Sequence, residues 1–331
     1  MTHASLLRFD VDDPVHGQVP CAALLHDEYR KRELPCCLVL YGGGGSHESL
    51  AALQPVFERA LPPCILAMPD VGPWSFYLDD PARGLAWESF IVQRFVPHVR
   101  ALQPTAADSL GVVGMSMGGY GALKLAFARP QLFAAVGAVS PMLEPYSEAR
   151  AVPLRNRFFY PAEVPQALLG SVRDETLYRA DHPSARARAN ALELVAHKLA
   201  IYIDAAGQDA LNAHDGAESL HRMLWELDLP HEYHLRRDAD HVGPDLATRM
   251  CVALGWVIDR LLPPAAAPLT ELEQAWQAWL AAQASSMPTT PLPANSRLFP
   301  AFLRATVEPQ RTAALRLDST LSRTYGRFWE Q

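Results

Sequence analysis

Cysteine is scarce in this chain: there are five in 331 residues, an odd number, and no C-x-x-C. Cys36 and Cys37 are adjacent in an apolar run, where a strand would send their side chains to opposite faces. This usage argues against a disulfide framework or a zinc site and predicts buried free thiols in a reducing cytoplasm. No uninterrupted apolar stretch reaches the roughly 20 residues of a membrane-spanning helix. No basic stretch is interleaved with aromatics, and the net charge is -7. Nucleic acid and anionic membranes are therefore poor candidate partners. The opening MTHASLLRFDVDDP lacks a basic start followed by an apolar segment, so no secretory signal is expected and a cytoplasmic location is. G-x-G-x-x-G is missing, and GGGGSHES lacks the Lys-Ser/Thr of a phosphate loop. His231 and His234 form H-x-x-H in a strand pattern rather than on a helix with a Glu, which gives little support to a metal hydrolase. No cofactor and no metal are expected.

What is present is a large apolar fraction, 49% of the chain, enough for a sizeable core. Four short apolar runs bounded by turn residues read as buried parallel strands: Cys36–Tyr41, Ile65–Met68, Leu110–Val113 and Ala134–Val139. Leu199–Ile203 and Glu232–Leu235 add a fifth and a sixth. Helical patterns lie between them at Ser49–Leu61, Trp87–Leu102, Gly118–Arg129, Asp215–Leu227 and Pro244–Leu261. This alternation predicts an α/β fold with a mostly parallel sheet and helices on both faces. Antiparallel edge strands are expected from Leu6 to Leu25. Residues 142–195 interrupt the alternation and read as a partly helical insertion after the fourth parallel strand. The α/β unit is expected to span 1–262. Residues 263–331 read as an extension with a linker, an amphipathic helix at Thr270–Gln283 and a Pro-rich segment. The apolar face of that helix (Leu272, Trp276, Trp279, Leu280) predicts burial on its own domain or in a homo-oligomer.

The stretch VVGMSMGGYGALKLAF places Gly114-Met115-Ser116-Met117-Gly118 directly between a strand and a helix. In that setting G-x-S-x-G is a nucleophile elbow: small residues relieve the crowding of a tight turn and leave the hydroxyl above the sheet. The following helix aims its first N–H groups at the site, which suits a developing oxyanion. A serine hydroxyl needs a base, and the base an orienting carboxylate, in the chain order Ser, acid, His. IYIDAAGQDAL offers Asp204 and Asp209. Asp209 is preferred because it lies on the loop beyond the strand end, where function tends to sit. Among twelve histidines, His241 in DADHVGP lies on a polar loop between the last strand and the last helix, and is the expected base. His221, His231 and His234 fall on helix or strand. Met117 N–H is the first expected oxyanion donor. The second is Gly43, with Gly44 next, in the loop after the first parallel strand, where missing Cβ atoms let backbone approach a substrate. Gly44, Trp74, Phe76 and Tyr77 are the expected substrate-binding residues.

These segments resemble the esterase D-like branch of the α/β-hydrolases, which includes carboxylesterases, feruloyl esterases, S-formylglutathione hydrolases and mycolyltransferases. GMSMGGYGALKLAFARPQLFAAVGAVSP is similar to its elbow. AMPDVGPWSFYLDDP followed by WESFIVQRFVPHV is similar to its segment after the second parallel strand, LYRADHPSARA to a stretch of its insertion, and IYIDAAGQDAL and HEYHLRRDADH to its acid and base segments, over roughly residues 20–260. The resemblance implies a Ser116–His241–Asp209 triad with Gly43 and Met117 as oxyanion donors, acting on a small ester without a cofactor. Two positions depart from the family: Tyr41 stands where it usually has His, and Gly43 where it usually has a bulkier residue. A short-chain serine carboxylesterase is the expected function. Acyltransferase or thioesterase activity with the same triad is the alternative, and a non-catalytic binding protein on this scaffold a second.

Overall fold

The computed structural model describes residues 4–103, 110–148, 151–152, 156 and 175–262. The expected C-terminal helix and linker, and part of the 142–195 insertion, lie outside the described residues.

β1 (Ala4–Asp13), mostly exposed or half-buried, pairs with the largely buried β2 (Gly17–His26) as an antiparallel edge hairpin. The apolar runs that follow become β3 (Cys36–Leu40), β4 (Ile65–Pro69), β7 (Leu110–Met115), β8 (Phe133–Val139) and β9 (Ala200–Ala206), nearly all buried. β10 (Glu232–Arg236) closes the far edge and is half-exposed. Two-residue strands β5 (Asp79–Asp80) and β6 (Leu85–Ala86) form a separate ribbon. Among the described residues the main sheet runs β1-β2-β4-β3-β7-β8-β9-β10, parallel from β4 to β10. The chain leaves β3 for β4 on one side and later returns to place β7 on the other. That reversal opens a crevice at the carboxyl ends of β3 and β7, the usual place for a site in an open α/β sheet.

Two helices differ in detail from their sequence patterns. The Ser49–Leu61 pattern begins as a 3₁₀ turn, His47–Leu53, capped by the Ser46 side chain, and becomes α1 (Gln54–Ala60) at Pro55. The Trp87–Leu102 pattern is α2 (Trp87–Phe90) and α3 (Val96–Arg100) joined by a π-helical turn, Ile91–Phe95. Pro97 in α3 has no N–H and crowds the preceding turn, and a π-bulge absorbs such a misfit. The remaining long helices are α4 (Met117–Ala128), α8 (Ala213–Glu226) and α9 (Leu246–Leu261).

The described part of the insertion forms α5 (Glu175–Asp181), α6 (Pro183–Ala189) and α7 (Ala191–Ala196). It docks on α4 through buried charge. Lys124 Nζ lies 2.6 Å from Asp181 and 3.5 Å from Glu88. Arg186 completes the square at 2.8 Å from Glu88 and 3.1 Å from Asp181, and Tyr120 donates to Asp181 at 2.9 Å. Two cations against two carboxylates leave no uncompensated buried charge.

His182 makes this docking sensitive to acid. It is fully buried, accepts the Ser184 N–H that starts α6, and donates to the Glu144 carbonyl at 3.1 Å. Burial pushes its pKa down from 6.5 to about 4. Between those values the unfolded chain binds a proton that the folded chain does not, so stability falls as pH drops from about 6.5 to 4. The loss approaches about 3 kcal/mol at the acid end. His182→Asn, which can still cap the helix, is expected to flatten the dependence of Tm on pH across that window. An unchanged slope would assign the acid sensitivity elsewhere.

Candidate active site

Ser116 occupies the turn between β7 and α4 with φ 55 and ψ -117, a conformation costing of order 1–3 kcal/mol in a non-glycine residue. The surroundings over-determine it. Its N–H donates to Val139 O at 3.0 Å, and its carbonyl accepts from Tyr120 and Met142 N–H. The flanking glycines are there for space. A Cβ on Gly114 would overlap the Gly118 carbonyl, and one on Gly118 would overlap the Leu40 carbonyl. Any side chain at either position would push the elbow off the sheet.

His241 Nε2 lies 2.8 Å from Ser116 Oγ, and His241 Nδ1 lies 2.7 Å from Asp209 Oδ2. All three residues are buried. The other Asp209 oxygen accepts Leu211 N–H at 2.8 Å, which leaves Oδ2 for the imidazole. With Asp209 as acceptor, Nδ1 carries the proton and Nε2 is free to accept from the serine. The loop bearing His241 is held by Asp240, whose side chain accepts from His241 and Ala210 N–H.

Asp204, the other carboxylate in the same sequence stretch, is fully buried and occupied elsewhere. Arg249 reaches it at 2.6 Å and Arg236 at 3.1 Å. Arg249 also donates to Ser140 Oγ and to the Asp240 carbonyl, directly before His241. Asp204 and Arg249 thus hold the His241 loop against β8 and β9, bonded to Ser140 and the Asp240 carbonyl and not to the Ser116 or His241 side chain. Asp204 was visible in sequence as an acid at a strand end. Nothing in the spacing of Arg249 marks it as its partner.

A cleft of about 530 Å³ opens over Ser116. Gly43, Gly44, Met117 and His241 line it, with an apolar wall that includes Trp74, Phe76, Met142, Leu211, Val242 and Met250. Met117 begins α4, where the first N–H groups have no carbonyl within the helix. Gly44 N–H donates to Pro73 O at 2.8 Å, so it is not free for a substrate oxygen. Tyr77 is not part of the wall. It is fully buried, packs on Gly121 of α4, and its hydroxyl donates to the Tyr41 carbonyl at 3.0 Å. Of the three aromatics expected to line the cleft, Trp74 and Phe76 do so and Tyr77 lies behind them.

The other histidines weighed in the sequence lie outside this arrangement. His221 and His231 contact each other at 2.7 Å beside Tyr233, and His234 contacts Glu232. Among the described residues no group of three or more His, Cys, Asp or Glu is placed to hold a metal ion. No described helix is long and apolar enough to cross a membrane.

The family described as "Putative esterase" matches residues 73–241, half of the chain. The chain belongs to this esterase family. The matched stretch contains Ser116, Asp209 and His241 and stops at the last of them. Curated relatives include an esterase of Mycobacterium tuberculosis, 35% identical over 113 residues, 31% of this chain and 25% of that one. A diacylglycerol acyltransferase/mycolyltransferase of Mycobacterium ulcerans is 38% identical over 88 residues, 24% of this chain and 26% of that one. The chain spans about a quarter of the length of these relatives. Among solved structures, a ferulic acid esterase aligns with TM-score 0.64 at 17% identity, covering 79% of this chain and all of that one. An S-formylglutathione hydrolase of Agrobacterium tumefaciens aligns with TM-score 0.61 at 16% identity, covering 79% and 99%. The esterase-family chain thus has an α/β-hydrolase fold.

Proposed function

We propose that this protein is a serine carboxylesterase acting on short-chain acyl esters. The observation that carries the reading is the hydrogen-bonded series Asp209–His241–Ser116 at 2.7 and 2.8 Å, on the floor of an apolar cleft. Ser116 Oγ attacks the ester carbonyl while His241 Nε2 takes its proton, and Asp209 stabilises the imidazolium. Backbone N–H groups of Met117 and Gly43 receive the oxyanion. His241 then returns the proton to the departing alcohol, and water releases the acid by the same steps.

Trp74 and Phe76 narrow the cleft beside the serine. A methylene added in free apolar space gains about 0.8 kcal/mol, whereas one meeting a wall gains nothing. With purified protein and a graded series of esters, kcat/KM is expected to peak at acetyl to butyryl and to drop beyond hexanoyl. A rate still rising at decanoyl would overturn the short-chain reading.

The similarity to an acyltransferase/mycolyltransferase favours one second reading, transfer of the acyl group to an alcohol instead of water. Adding glycerol to the ester assay separates the two. Acyl-glycerol formed faster than free acid would favour the transferase.

A further inference from the structure

We propose that Asp70 is a positioning residue for the oxyanion loop, clamping both ends of the glycine segment with one carboxylate. The inference rests on the esterase reading for its catalytic consequence, while the clamp itself is a property of the fold. The loop leaves β3 at Tyr41 and enters the 3₁₀ turn at His47, with four glycines and Ser46 between. Such a run has more backbone freedom than any other composition, yet a donor for an oxyanion must be fixed before the reaction begins.

The structure shows how that freedom is removed. On the side before the loop, the Tyr41 hydroxyl accepts Val71 N–H at 2.7 Å. It faces Asp70 Oδ1 at 3.2 Å and the Gly72 carbonyl at 3.0 Å. On the side after the loop, His47 Nδ1 lies 2.8 Å from Asp70 Oδ2. The two oxygens of one carboxylate therefore bracket residues 42–46. Asp70 is itself held, its N–H on Pro20 O at 2.9 Å and its Oδ1 on Gly72 N–H at 3.1 Å.

Between the brackets the loop is joined step by step to the segment after β4. Gly44, at φ 78, donates to Pro73 O, and the Trp74 ring fills the space where a Cβ on Gly43 would sit. The Tyr41 carbonyl accepts from Tyr77. Burial pushes the Asp70 pKa up, but His47, Gly72 N–H and the Tyr41 hydroxyl outweigh it and hold the carboxyl below its usual range. The clamp is thus ionised at neutral pH. A phenol reaches the carboxylate from a ring lying beneath Gly45, so Tyr41 ties the loop to Asp70 from below.

The test uses the full-length protein with Asp70→Asn, Tyr41→Phe, His47→Gln and the double variant Tyr41→Phe/His47→Gln. Each is assayed on butyryl ester, titrated with a fluorophosphonate, and followed by hydrogen–deuterium exchange at residues 42–46. Removing an oxyanion donor outright costs about 10²–10³ in kcat. Misplacing one through the clamp is expected to cost roughly tenfold to a hundredfold in Asp70→Asn, with KM within about threefold and faster exchange confined to the loop. Tyr41→Phe and His47→Gln are expected to be smaller, and non-additive when combined because they act through one carboxylate. Unchanged loop exchange with kcat within threefold of wild type would overturn the proposal. So would a loss carried in KM alone, or strict additivity of the two arms. If the wild-type protein neither hydrolyses esters nor reacts with the fluorophosphonate, the esterase reading fails, and the exchange measurement still decides whether Asp70 clamps the loop.

Discussion

Ser116→Ala is expected to lower kcat for ester hydrolysis by about 10⁴-fold or more while leaving the fold intact. The substitution removes one oxygen and its bond to His241 and nothing else. Alanine keeps the Cβ that the elbow already accommodates, and the backbone bonds to Val139, Tyr120 and Met142 are untouched. The strained φ of 55 persists in the variant, so Tm is expected to stay within a few degrees. Labelling by a fluorophosphonate should disappear together with turnover, since both require the same nucleophile. Activity within tenfold of wild type, in protein free of contaminating hydrolase, would remove Ser116 from the role.

The two aspartates of IYIDAAGQDAL are expected to fail in opposite ways. Asp209→Asn keeps the shape but offers His241 Nδ1 an amide that can present its own N–H, favouring the wrong tautomer. A loss of roughly 10⁴ in kcat at nearly unchanged stability is the expected result. Asp204→Ala strands the Arg249 guanidinium in a buried site beside Ser140, and breaking such a pair costs about 3–5 kcal/mol. That variant should be detected first as a lower denaturation midpoint, with activity falling because the Asp240–His241 loop loses its support. Measuring kcat and urea stability on both separates the cases. An Asp204 variant that is stable but inactive, beside an active Asp209 variant, would exchange their assignments.

The strands were legible because each is a short apolar run ended by turn residues, and the elbow because its five residues carry their own local geometry. Chain order together with position at strand ends then narrowed the candidate acid to two residues and the candidate base to one loop. The strands and the elbow are information held within a few residues of each position, and the order of Ser, acid and His is read along the chain. The α/β class and the alternation of elements follow from it, as does the expectation that Ser116 stands above the sheet.

Tertiary packing decided what depends on partners far along the chain. Asp204 and Asp209 are five positions apart and chemically identical. They differ because Arg249, 45 residues past the first, reaches Asp204, and His241, 32 residues past the second, meets Asp209. Trp74 and Tyr77 are near neighbours on one loop, yet one lines the cleft and the other lies behind it, because Gly121 leaves room for the Tyr77 ring. The glycines of 42–45 mark in sequence a loop whose backbone can approach a substrate. Its contacts come from elsewhere in the chain, with Asp70 meeting Tyr41 and His47 on either side of it and Pro73 accepting from Gly44 within it, because a polyglycine backbone has no preference of its own and takes the shape its bonded neighbours impose.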